Sequence, residues 1–261
     1  MTMSEEVIGK LAKAVDEAAR TSESLVMLTA ENPEMTLDDA YTIQRASMER
    51  RKARGEEVIG MKMGLTSTAK MEQMGVHNPI YGHLTDAMVI GDGETIEFDA
   101  YCHPRVEPEL AFIIKEDISG AVDARQALSA VEGVCAALEV IDSRYQDFKF
   151  TLIDVVADNA SSTGFVLGPV VKPAADLDLG NLGMVMSING EVVETGSSAA
   201  ILEHPARSLA ALITMLSERG EGLKAGQVVL AGAATKAVHL KPGDQVQLEV
   251  DSLGTVALGV S

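Results

Sequence analysis

Beyond Gly55 the chain is a succession of short strand-like segments that do not alternate with helices. That ordering excludes a doubly wound parallel sheet, which needs a helical crossover between successive strands. Strand patterns cover 58–65, 94–98, 105–114, 136–141, 227–231, 245–250 and 255–260. Met184–Ile188, Asn189-Gly190 and Glu191–Thr195 form a hairpin signal, because Asn-Gly suits the positive φ angles of a type I′ turn. Pro242-Gly243-Asp244 and the turn from Asp251 to Gly254 separate the last strands. Helical spacing marks 5–20, a segment after Pro33 with Thr36 as N-cap and Asp39 three residues on, 124–138, and 206–219. Ser67 or Thr68 is expected to cap a short helix through Met74. The class is α+β: an N-terminal helical segment over 1–55 and a β-rich domain over 56–261, or the two integrated as one domain.

Carboxylates stand where the strand pattern makes them costly. In Arg105–Ile114, alternation turns Val106, Leu110, Phe112 and Ile114 toward a core and puts Glu107 and Glu109 together on the other face. A solvated strand face would explain that pair. Glu139 is harder to accommodate, since it interrupts the apolar run from Ala136 to Ile141 and must find a partner, hold a proton or bind a metal. An ion pair with Arg105 or Arg144 is one solution. The other joins Glu139 to Glu107 and Glu109 as an all-oxygen site suited to Mg²⁺ or Mn²⁺.

In Val58–Leu65, Gly60, Lys62 and Gly64 share one face, which would leave open space around a lysine on a pocket wall; a surface lysine is the plainer reading. From Asp154 to Gly164, small residues including Ser161 either aim donors at an anion or serve turns and caps. His103 and His204 each precede proline and read as structural.

Charge narrows the partners. The chain of 261 residues has 21 basic and 39 acidic side chains, a net charge of −18. Such a surface repels nucleic acid and anionic membranes, and no apolar run approaches the roughly 20 residues of a membrane span. Cys102 and Cys135 alone form no disulfide framework, so a cytoplasmic location is expected.

Four segments together resemble the fumarylacetoacetate hydrolase superfamily, in the branch of hydratases and decarboxylases from aromatic meta-cleavage pathways. They are Gly60-Met-Lys-Met-Gly-Leu-Thr66, His103-Pro-Arg-Val-Glu-Pro-Glu109, Leu138-Glu-Val-Ile-Asp-Ser-Arg144 and Val156-Ala-Asp-Asn-Ala-Ser161. The resemblance runs from Asp39 to Val256 and implies a mixed, barrel-like β-roll with flanking helices. It places the family's metal carboxylates on Glu107, Glu109 and Glu139, its active-site lysine on Lys62 and a substrate-contacting serine on Ser161. Hydratases of the branch usually carry an aspartate where this chain has Ile80, and Gln73–Val76 is similar to the decarboxylases. Ala231-Gly232 replaces the family's Thr-Gly.

The resemblance therefore implies metal-dependent decarboxylation of 2-oxohex-3-enedioate to 2-hydroxypenta-2,4-dienoate and CO₂. Lys62 would orient substrate or handle the dienol proton, with a Schiff base ranked lower. Expected substrate-binding residues are Ser161, Leu65 and Arg144, with Arg144 or Lys149 for the distal carboxylate. A homo-oligomer and a complex with the pathway hydratase are also implied. The alternatives are a 2-hydroxypenta-2,4-dienoate hydratase, a carbon–carbon hydrolase using His77 or His83, and a non-catalytic partner subunit of a hydratase.

Overall fold

The computed structural model describes residues 3–67, 71 and 78–261. His77, the Gln73–Val76 stretch and the helix expected through Met74 lie outside the described residues, apart from Ser67 and Met71.

Three helices open the chain: α1 (Glu5–Thr21), the short α2 (Leu28–Glu31) and α3 (Leu37–Ala53). Helix α1 starts where the Ser4 hydroxyl accepts from the Val7 amide, and it buries Ile8, Leu11, Ala12, Val15 and Ala18 along one stripe. Thr36 and Asp39 form both bonds of the expected capping box on α3. The basic last turn of α3 also reaches back to α1. Arg50 Nε and Arg54 Nη1 each donate to Asp16 Oδ2, at 2.8 and 2.7 Å. Gln44, buried on α3, donates to the carbonyls of Tyr81 and Val156, which ties the helices to the segments behind the site.

Thirteen strands are found among the described residues. They are β1 (Val58–Gly64), β2 (Ile80–Thr85), β3 (Val89–Ile90), β4 (Thr95–Ile96), β5 (Arg105–Ile114), β6 (Val131–Ile141), β7 (Ser162–Leu167), β8 (Gly183–Ile188), β9 (Glu191–Ser197), β10 (Val228–Leu230), β11 (Val238–His239), β12 (Gln245–Val250) and β13 (Gly254–Val260). One sheet runs β2-β1-β10-β5-β6-β7-β3 with β11 also on β5; the other runs β4-β13-β12-β8-β9. The Asn-Gly hairpin forms as expected, with φ of 54° at Asn189 and 84° at Gly190.

The first sheet has two different faces. Val106, Leu110, Phe112 and Ile114 of β5, with Val134, Ala136, Leu138 and Val140 of β6, enter a core shared with α1, α3 and the second sheet. The opposite face curls inward around a smaller apolar cluster of Leu84, Met88, Ala111, Cys135, Ala137, Phe165 and Leu230. This curled sheet with flanking helices is the mixed, barrel-like α+β fold expected.

One element differs. The helical spacing over 124–138 holds only in α4 (Ala124–Ser129); Val131 onward is strand, paired with β5 along its whole length. A continuous apolar run satisfies both periods, and the cross-strand hydrogen bonds to β5 decide between them. Helix α5 (Leu152–Ala157) and helix α6 (Pro205–Ser217) complete the flanks.

A buried ion pair locks the end of α5. Arg144, 2% exposed, donates through Nε to Asp158 Oδ1 at 2.5 Å, through Nη2 to the Asp158 carbonyl and through Nη1 to Thr163 Oγ1. Removing one partner strands a buried charge, so Asp158→Ala should lower stability by about 3–5 kcal/mol. Urea denaturation compared with the parent chain measures that loss.

Candidate active site

The inner face of the curled sheet carries charge at one end. Glu107 and Glu109 alternate along β5, and Glu139 on β6 lies directly opposite Glu107 in register. All three are buried, and each offers an oxygen within 4.8 Å of the others. Lys62 comes from β1, separated from β6 by β10 and β5 in the sheet order. A flat sheet would hold β1 and β6 about 14 Å apart at the usual strand spacing. Yet Lys62 Nζ lies 3.0 Å from Glu139 Oε2. The curl of the sheet therefore assembles the site.

Lys62 is 3% exposed and also donates to the Ala160 carbonyl at 3.0 Å. Lys62 and Gly64 line a cavity, as their shared strand face leads one to expect, while Gly60 does not. A Cβ on Gly60 would stand 2.2 Å from the Val228 carbonyl oxygen, so that glycine serves the approach of β10. Glu139 thus pairs with Lys62 instead of the arginines considered from sequence.

Burial opposes the Lys62 charge, but Glu139, Glu109 and Glu107 outweigh it and raise the lysine above its ordinary range. Burial, followed by Glu139, pushes Glu109 well above the carboxylate range, against the pull of Lys62. Burial also lifts Glu139 to about 7, helped by Glu107 and opposed by Lys62. Glu109 Oε2 accepts from the Gly232 amide at 2.8 Å, while Glu109 Oε1 and both Glu139 oxygens have no hydrogen-bond partner, Glu139 Oε2 meeting Lys62 as an ion pair. Gly232 has φ +111°, and a Cβ there would meet Thr66 Oγ1 at 2.2 Å, so the amide reaches Glu109 only from glycine.

Of these groups, Lys62 and Glu107 line the cavity of about 400 Å³, with Glu109 and Glu139 buried directly behind them. Leu65, Ile80, Ile141, Val155, Phe148 and Phe150 make its apolar wall, with Ser161, Arg105 and Lys236 as further polar groups. The turn bearing Ser161 is strained: Asn159, Ala160 and Ser161 have φ of 51°, 52° and 58°. Left-handed backbone costs about 1–2 kcal/mol per residue. Asn159 offsets that cost by exchanging two hydrogen bonds with the His83 backbone, and the Ala160 carbonyl holds Lys62. The Ser161 hydroxyl is left buried and without a partner.

The structure brings Lys62, Glu107, Glu109, Glu139, Ser161 and Leu65 together. Arg144 does not line the cavity, because its guanidinium is taken up by Asp158 and Thr163; Lys149 is an exposed partner of Asp147. His83 also lies off the cavity wall. Sequence reasoning missed Arg105, Phe148 and Phe150 as cavity residues. Only Arg105 left a signal there, sharing strand parity with Glu107 and Glu109.

A curled mixed sheet holding three inward glutamates and a lysine defines a class, and residues 57–261 match the fumarylacetoacetate hydrolase C-terminal family model. The chain belongs to the fumarylacetoacetate hydrolase family. It is 47% identical over 254 residues to a 4-oxalocrotonate decarboxylase from Pseudomonas sp., covering 97% of this chain and 98% of that protein. A structure of 4-oxalocrotonate decarboxylase from Pseudomonas putida G7, complexed with magnesium and adipate, matches with a TM-score of 0.98 at 41% identity. That match covers 100% of this chain and 99% of the other. A 2-hydroxyhexa-2,4-dienoate hydratase from Comamonas testosteroni is 39% identical over 245 residues, 93% of each chain.

The trio fits a hard divalent cation. Its donors are all oxygen, three of those oxygens lack hydrogen-bond partners, and the three carboxylates lie close enough to share one ion. A proton competes for the same oxygens, since Glu109 and Glu139 are raised. Affinity for Mg²⁺ should therefore hold above neutral pH and weaken as pH falls through about 7. Calorimetric titration at pH 6 and pH 8, in buffers of different ionisation enthalpy, should show the weakening and the accompanying proton release.

Proposed function

We propose that this chain is a divalent-cation-dependent decarboxylase that converts 2-oxohex-3-enedioate to 2-hydroxypenta-2,4-dienoate and CO₂. The observation carrying this reading is the buried trio Glu107, Glu109 and Glu139 beside Lys62, which reaches a largely apolar cavity through Glu107 and Lys62. It is supported by 47% identity to 4-oxalocrotonate decarboxylase over nearly the full chain.

Glu107, Glu109 and Glu139 would hold Mg²⁺ or Mn²⁺. Bound there, the cation supplies Lewis-acid stabilisation of the charge that develops on the substrate's C2 oxygen. The protein's own groups do the rest. The raised Lys62 stays an ammonium, placed by Glu139 and the Ala160 carbonyl to give a proton to the C2 oxygen as the dienol forms. A Schiff base would need a neutral amine, which this environment disfavours. Ser161 Oγ, buried with its donor uncommitted, would bind the C1 carboxylate.

The C5–C6 bond breaks, its electrons pass through the C3=C4 double bond to the C2 oxygen, and C6 leaves as CO₂. A charged carboxylate becomes a neutral molecule, so the apolar wall of Leu65, Ile80, Ile141 and Phe150 favours the transition state over the ground state. Ile80, 4% exposed on this wall, offers no proton-transfer group where the hydratases resembled here carry an aspartate. That disfavours water addition.

The finer parts of the reading are a homo-oligomer, a complex with the pathway hydratase and cytoplasmic residence. The exposed valines Val185, Val192 and Val193 on the β8–β9 hairpin support assembly, and the free Cys102 and Cys135 fit a reducing compartment. Among the described residues, no helix is long and apolar enough to cross a membrane.

The test is purified protein with 2-oxohex-3-enedioate, with Mg²⁺ or chelator, following CO₂ and dienol together. Matched, metal-dependent formation of both is expected; hydration without CO₂ would overturn the assignment. Lys62→Met should lower kcat by about 10²–10⁴-fold, the usual contribution of a positioned proton donor. Glu139→Gln should abolish turnover and Mg²⁺ dependence together, measured in the same assay.

A further inference from the structure

The cavity also has a cationic side, and it carries information about the substrate. On the inner face of β5, exposure rises from Glu109 through Glu107 to Arg105, so the arginine stands toward the mouth. Two residues along a strand advance about 6.6 Å, a span comparable to a six-carbon chain. Ile141, paired with Arg105 across the ladder, is on the same wall.

The Arg105 guanidinium is placed by an aromatic ring. Its Cζ lies 3.6 Å from the centroid of Phe148, which packs in turn against Phe150 and His103. Phe148 adopts φ of 57°, a left-handed conformation rare for a bulky side chain. Stacking on one face fixes the guanidinium plane and leaves its edge donors for an in-plane acceptor. Arg105 Nε is buried without a hydrogen-bond partner, and the carboxylate that acts on its charge is Glu107, two residues along the strand. The other cations are less suited. Lys236 is 79% exposed and pairs with Glu194, while Arg144 is committed to Asp158.

We propose that Arg105, held flat on Phe148, receives the distal carboxylate of the substrate and sets a preference for 2-oxo diacids over 2-oxo monoacids. This rests on the cation-dependent reading of Glu107, Glu109 and Glu139, which fixes the other end of the substrate. Arg105 contacts the carboxylate that departs: as the C5–C6 bond breaks and its electrons move to the C2 oxygen, the guanidinium loses its anionic partner to neutral CO₂.

The experiment compares 2-oxoadipate with 2-oxohexanoate, equal in chain length and differing in the terminal carboxylate, by calorimetry on the Mg²⁺-loaded protein. The parent should prefer the diacid. Arg105→Gln should erase about tenfold or more of that preference, as expected for loss of a charge-assisted pair, and Arg105→Lys should restore part of it. Phe148→Leu, which keeps the charge and removes the stacking surface, should also reduce the preference and serves if Arg105→Gln fails to fold. A preference that survives Arg105→Gln, or an equal loss of both ligands, would overturn the proposal. If the parent discriminates the two ligands yet releases no CO₂ from 2-oxohex-3-enedioate, the decarboxylase reading fails while the assignment of Arg105 stands.

Discussion

The ion pair between Lys62 and Glu139 is almost sealed from water, and much of the surrounding architecture makes that burial tolerable. Removing two charges from water costs several kcal/mol per ion unless the pair is close and its remaining valences are met. The pair is close because the sheet curls, and one valence of the ammonium is met by the Ala160 carbonyl. On the carboxylate side, Glu107 and Glu109 crowd negative charge beside Glu139, and burial holds Glu109 and Glu139 above their ordinary range. An arrangement of that kind attracts either a proton or a hard cation, so the same burial and crowding that raise Glu109 and Glu139 make the trio a cation site.

Strain collects around this centre. Leu65, Phe148, Ala160 and Ser161 all line the cavity with left-handed backbone, which persists only where neighbours over-determine it. For the Ser161 turn those neighbours are Lys62, the His83 backbone and the buried Arg144–Asp158 pair immediately before it. Gln44 joins the N-terminal helices to the same region through Val156 and Tyr81. Helices distant in sequence from the chemistry thus brace the segments that shape the cavity. The division of faces on β5 and β6 completes the arrangement: large apolar residues point to the outer core, while Ala111, Cys135 and Ala137 on the inner face leave room for charge.

The acidic trio was legible because alternation along β5 is a local property, and a carboxylate in an apolar run demands an explanation wherever the strand lies. Caps were legible for the same reason, as at Thr36 and Asp39. The run after Ser129 was ambiguous, because uninterrupted apolar residues suit a helix or a buried strand until a partner strand is present. Arg144 was misplaced by proximity in sequence: it follows Glu139 by only five residues, yet the chain turns after Ile141 and delivers the guanidinium to Asp158.

By itself the sequence determined the α+β class, the two faces of β5, the shared face of Glu107 and Glu109, and the need of Glu139 for a counter-charge. Tertiary structure alone decided that Lys62 meets Glu139, that Ser161 is left with a free hydroxyl, and that Arg105 and Phe148 stand at the mouth. The reason is range. Strand parity and capping depend on residues a few positions apart, whereas the Lys62 contact depends on how far the sheet curls across β10 and β5, which the packing of the whole molecule sets.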